Sequence, residues 1–127
     1  MQPNEIRALV DRYIDAYNRM DIDAMLSCMH PQVEFKNIAG GVVNASTEGI
    51  EALKQLAQQS LALFSARQQR IEAFEILDGV AHAHIAFHAV VASDLPNGLQ
   101  QGQILNFSGR SEFEFWDGLI GKITDIS

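Results

Sequence analysis

The chain has 127 residues, room for one folded domain spanning residues 1–127 and none for a second with a linker. Hydrophobic residues make up 47% and charged residues 20%, with 9 Gly and 3 Pro, which excludes a disordered, collagen-like or low-complexity chain. Nine Lys and Arg against 16 Asp and Glu give a net charge of -7, and the scattered basic residues argue against nucleic acid as a partner.

Near the start, Ile6, Leu9, Val10, Tyr13, Ile14 and Tyr17 recur at helical spacing with Arg7, Asp11, Arg12, Asp15 and Arg19 opposite, predicting an amphipathic helix. The opening MQPNEIRALV has neither a basic nor an apolar leader region, and no apolar run reaches the roughly 18 to 20 residues of a membrane span. A cytoplasmic, soluble protein is the expectation. Asp21 is an N-cap for a second, short helix with the stripe Ile22, Met25, Leu26 and Met29, stopped near His30-Pro31. The single cysteine, Cys28, lies within that stripe and has no internal disulfide partner.

Val33 to Ile38 alternates as a short strand, and Gly40-Gly41 breaks it. Ser46 or Thr47 then caps a third helix carrying Ile50, Leu53, Leu56, Ala57, Leu61 and Phe64 inward. Beyond it the period changes to two. Arg67–Leu77, Val80–Ala92, Gln103–Trp116 and Leu119–Ile126 read as four strands, with turns at Asp78-Gly79 and Asp117-Gly118 and a loop through Asp94–Gly98. Helices segregated from an antiparallel meander define an α+β class. The expected architecture is a curved antiparallel sheet wrapped around three N-terminal helices, a cone with an internal pocket.

Arg12-Tyr13, Asn18 to Asp23, Met29 to Phe35, Ser46 to Ile50 and Glu112 to Ile120 carry a resemblance that runs nearly end to end. In their order and spacing they resemble the cone-shaped superfamily of nuclear transport factor two, ketosteroid isomerase and the SnoaL-like polyketide cyclases. The resemblance implies a pocket for small cyclic organic molecules and a homodimer formed through the outer sheet face. Against the ketosteroid isomerase pattern of an Asp base with an oxyanion site of Tyr and protonated Asp, Tyr13 matches the tyrosine. Asn37 falls within one residue of the base position, and Ser111 falls where the second Asp would stand. An amide is no general base near neutral pH, so that reaction by those residues is not expected.

His82, His84 and His88 share one parity on a strand, opposite Ala83, Ile85 and Phe87. The resemblance puts the histidines on the pocket wall with Phe107, Ser111, Phe113 and Phe115, and turns Ile85 and Phe87 outward toward a dimer surface. The opposite orientation, with all three histidines on the outer face, stays open. His82 and His84 have chelating spacing, but His88 lies roughly 13 Å from His84 on an extended strand and no third ligand stands out, so no metal is expected. No nucleotide, flavin or phosphate motif occurs, and no cofactor is expected. Tyr17, one helical turn from Tyr13, reads as inward-facing. Asp125 is a candidate acid or base whose direction is open.

These observations lead to a small-molecule-binding SnoaL-like protein, of the isomerase, cyclase or dehydratase type if it is an enzyme, using general acid/base chemistry. Tyr13, His84 and His88 are the expected catalytic residues, and Tyr17, Asn37, Phe107, Ser111, Phe113 and Phe115 the ligand contacts. The alternative is a non-catalytic dimerisation or protein-interaction module of the same fold.

Overall fold

In the computed structural model, which describes residues 1–127, Pro3 opens helix α1 (Pro3–Asn18) and the Gln2 amide donates to Glu5 Oε1 at 2.9 Å. The stripe Ile6, Leu9, Val10, Tyr13 and Ile14 is buried, as its spacing predicts. Met20, with φ of 57°, turns the elbow. Asp21 Oδ1 then accepts the Ala24 amide at 3.0 Å and caps helix α2 (Ile22–Leu26). Met29, expected on that helix, instead begins strand β1 (Met29–Ala39); the helix ends at Leu26, and Pro31 holds the preceding His30 to extended angles.

Gly40 and Gly41 do more than end a strand. With φ of 58° and 79° they form a two-residue hairpin into β2 (Val42–Glu48). Ser46 and Thr47 are therefore strand residues and not helix caps; helix α3 (Ile50–Leu61) starts after Gly49. Phe64, expected on the third helix, begins β3 (Phe64–Leu77). The meander continues with β4 (Val80–Val91), β5 (Ile104–Trp116) and β6 (Leu119–Ile126). Its two Asp-Gly turns form as their sequence predicts, with Asp78 and Asp117 each at φ of 52°.

The six strands form one sheet in the order β2-β1-β6-β5-β4-β3, antiparallel except where β1 pairs with β6 in parallel. Its inner face meets the helices over a core that includes Val10, Tyr13, Met25, Val33, Ala83, Phe113 and Ile123. The Tyr13 ring stands edge-on to Phe113 at 6.0 Å. Asn18 fastens the end of α1 to the free edge of β3: its Nδ2 donates to the Gln69 carbonyl at 3.0 Å and its Oδ1 accepts the Gln69 amide at 2.7 Å. No helix is long and apolar enough to cross a membrane.

Register decides which side chains reach the inside, and here two expectations are corrected. In β4 the buried residues are Ala81, Ala83, Ile85, Ala89 and Val91, so His82, His84 and His88 lie on the outer face. Ala83 stands opposite Ser111 and Phe87 opposite Phe107, whereas His84 faces Arg110 and His88 faces Asn106. Directly paired residues share a face, so the histidines cannot share the wall that holds Ser111. Ile85 and Phe87 correspondingly point inward, which removes the apolar outer surface expected of them.

Candidate active-site cavity

A cavity of about 260 Å³ opens between the inner sheet face and the last turn of α1. Its rim is aromatic. Phe64 of β3, Phe87 of β4 and Phe107 of β5 form a row, with ring centroids 5.8 Å apart for the first pair and 4.9 Å for the second. Phe107 remains 51% exposed because no helix covers this end of the sheet.

Deeper in, polar groups converge from four elements: Tyr17 of α1, Asn37 of β1, Ser111 of β5 and Asp125 of β6, with Gln69 beside them. Ser111 and Asp125 are cross-strand partners, and the Ser111 hydroxyl donates to Asp125 Oδ1 at 2.6 Å. Asn37 is the register neighbour of Asp125 across the parallel pairing. It donates through Nδ2 to Asn44 Oδ1 at 2.7 Å, which leaves its carbonyl oxygen without a protein donor.

Burial pushes the Asp125 carboxyl up to about 6, and the Ser111 hydrogen bond opposes that rise. At neutral pH the group is mostly ionised, and it exchanges its proton close to that range. Burial also raises Tyr17, with the Arg67 guanidinium pulling the other way; Tyr17 stays a neutral phenol and a hydrogen-bond donor. Burial holds Tyr13 well above its ordinary value, and the Asp125 charge adds to the effect.

Of the residues expected at the site, Tyr17, Asn37, Phe107 and Ser111 line the cavity. Tyr13, Phe113 and Phe115 do not: Tyr13 and Phe113 are core residues packed on each other, and Phe115 packs against the same core. His84 and His88 are excluded by their outward direction. Asp125 enters because β6 carries one extra residue, Gly121, between Ile120, paired with Phe115, and Lys122, paired with Glu114. That bulge puts Ile123 and Asp125 on the inner face with buried Ile120, a shift that alternation counted from the Asp117-Gly118 turn does not reveal. Gly109, Arg110, Ile126 and Ser127 also line the cavity, and so, without having been singled out, do Phe64, Gln69, Ile85 and Phe87. The inward parity of Ser111, followed across β4, would have found the last two. No group of three His, Cys, Asp or Glu side chains comes together as a metal site.

Residues 10–125 match the family model of the SnoaL-like domain. No curated protein sequence matches the chain. Among solved structures, a provisionally named polyketide cyclase from Xanthomonas campestris is 25% identical with a TM-score of 0.83, over 98% of this chain and 90% of that one. TerC co-crystallised with polyporic acid is 16% identical with a TM-score of 0.76, over 96% of this chain and 89% of that one. An epoxide hydrolase from Mycobacterium tuberculosis is 14% identical with a TM-score of 0.76, over 97% and 82%. The last two likenesses show the shared fold. The match to residues 10–125 covers most of the sequence, and the chain belongs to the SnoaL-like domain family.

Proposed function

We propose that the cavity binds a small cyclic organic molecule and that Asp125 moves a proton on it. The observation that carries this reading is the Ser111–Asp125 pair, a carboxyl poised near neutral pH inside an apolar-rimmed cavity. The flat row Phe64, Phe87 and Phe107 suits the face of a ring system. The Asp125 carboxylate takes a proton from a carbon next to a carbonyl; the C–H electron pair forms the enolate C=C as the carbonyl π pair passes to oxygen, which receives a hydrogen bond from Tyr17, and the protonated Asp125 returns the proton elsewhere on the enolate. Ser111 keeps the carboxylate in one orientation, and the free Asn37 carbonyl accepts from a ligand hydroxyl. Isomerase, cyclase and dehydratase reactions all contain such a step. An open cavity with converging polar groups favours this reading over a non-catalytic interaction module.

Two measurements test it. Polyporic acid and a hydroxynaphthoquinone serve as calorimetric binding probes; Phe107→Ser is expected to weaken them about tenfold, on the order of 1.4 kcal/mol. Exchange of the α-hydrogen of a cyclic ketone with D2O, followed by NMR, is expected to be faster with the wild type than with Asp125→Asn and to rise through pH 6. Absence of binding, or exchange indifferent to Asp125, rejects the reading.

A further inference from the structure

Arg67 is the only basic residue in the buried interior, 6% exposed, and no carboxylate lies within ion-pair distance of it. Its Nε donates to the Tyr17 carbonyl at 3.1 Å, and Nη2 reaches Met25 Sδ at 3.8 Å. The guanidinium carbon lies 3.7 Å from the centroid of the Tyr17 ring. None of the protein's ion pairs includes it. A guanidinium buried without a counter-ion is costly, and a hydrophobic residue of similar volume would fill the space without that cost. Holding α1 against β3 does not require the charge, because Asn18 and Gln69 already do so with neutral groups. Stacking on the ring offsets part of the cost and sets the charge directly against Tyr17, which itself lines the cavity.

We propose that Arg67 is a positioning residue that acts through Tyr17, making that end of the cavity selective for the ionised oxygen of a phenol or enol. The proposal rests on the ligand-binding reading above and adds the charge state of the ligand to it. The groups that act on Tyr17 are Arg67 and Gln69 from β3 and Asp125 from β6, with Tyr13 one turn away on its own helix. Arg67 is the sole cation among them; Arg110, the cation that lines the cavity elsewhere, is paired with Glu112 at 3.3 Å. Asp125, when ionised, repels an anionic oxygen from its own wall and leaves the Tyr17 end as the favourable place. Arg67 also opposes the rise that burial imposes on the Tyr17 phenol, which makes its hydroxyl a stronger donor.

The first test needs no ligand. Tyr13→Phe leaves Tyr17 as the only tyrosine, since the chain has 2; replacement by 3-fluorotyrosine then allows its titration to be followed by fluorine NMR. Arg67→Met is expected to raise the midpoint by about one unit, tenfold in proton affinity, and Arg67→Lys by less. The second test measures binding of 4-nitrophenol and 4-nitrophenolate across pH in Asp125→Asn, which removes the carboxylate's own titration. The phenolate is expected to bind the tighter, and Arg67→Met to cut that preference about tenfold. Tyr17→Phe, which keeps Arg67 and the stacked ring, is expected to lose it as well and serves if Arg67→Met does not fold.

A Tyr17 midpoint indifferent to Arg67 overturns the proposal, as does a phenolate preference that survives both Arg67→Met and Tyr17→Phe. Absence of binding by either nitrophenol form removes the ligand class together with the reading it rests on, while the fluorine titration still judges the Arg67–Tyr17 coupling by itself.

Discussion

Ser111 and Asp125 stand opposite each other on β5 and β6, the hydroxyl donating to the carboxylate at 2.6 Å on the inner face of the sheet. The fold nevertheless favours the protonated acid, whose value rises from 3.8 to about 6. A raised carboxyl makes the protein most stable below its unfolded value, and this contribution is lost as pH climbs through 6; over about two units the difference is at most about 3 kcal/mol. Asp125→Asn is therefore expected to be more stable than the wild type at pH 8, with the gap closing toward pH 4. Urea unfolding of both proteins across that range measures it, and a constant gap would contradict the assignment.

Removing the donor moves the acid the other way. In Ser111→Ala the carboxylate loses the hydrogen bond that favours its charged form, so its midpoint is expected to climb further above 6. Carbon NMR of the Asp125 carboxyl reads this directly. A fall, or no change, would mean that the hydroxyl does not act on the charged form.

The two bonds between Asn18 and Gln69 satisfy an amide and a carbonyl on an edge strand. Asn18→Ala is expected to cost about 1–3 kcal/mol, the usual penalty for leaving partly buried polar groups unpaired. Hydrogen exchange should show the Gln69 amide losing protection more than amides at the centre of β4. Equal loss everywhere would indicate a global rather than an edge effect.

Gly121 is the extra residue of the β6 bulge, and a methyl group built on it would fall inside the Trp116 indole. Trp116 is held in turn by His30, edge-on at 5.6 Å, whose Nε2 contacts Asp117 at 3.1 Å. Gly121→Ala is expected to displace the indole and destabilise the protein by about 1–3 kcal/mol. The protein has 1 tryptophan, so its emission should shift to longer wavelength. Unchanged emission and stability would show that the corner yields easily.

His84 and His88 do not line the cavity; their strand partners are Arg110 and Asn106. His84→Ala and His88→Ala are each expected to leave probe affinity within about twofold, well under the 1.4 kcal/mol of a tenfold change. Calorimetry with the quinone probes decides it. A tenfold loss in either variant would return the histidines to the site.

Much of the architecture was legible because it rests on short-range chemistry. The stripe of α1, the Asp21 cap and the two Asp-Gly hairpins each depend on residues within a few positions of one another. The edge strand β2 was not legible. Val42–Glu48 is exposed or only partly buried and lacks the strict alternation of a half-covered strand, so Ser46 and Thr47 resembled a helix cap. Its strand character comes from pairing with β1.

By itself the sequence determined the class, the order of most elements and the family, since these follow from local periodicity and from motifs along one chain. Only the tertiary structure decided which residues meet in the cavity. Side chains alternate with a period of two, so a one-residue change of register exchanges the faces of an entire strand. Across the connection of residues 92–103, the register that pairs Ala83 with Ser111 sends His84 outward. Likewise one inserted glycine, Gly121, brings Asp125 inside, onto the cavity wall.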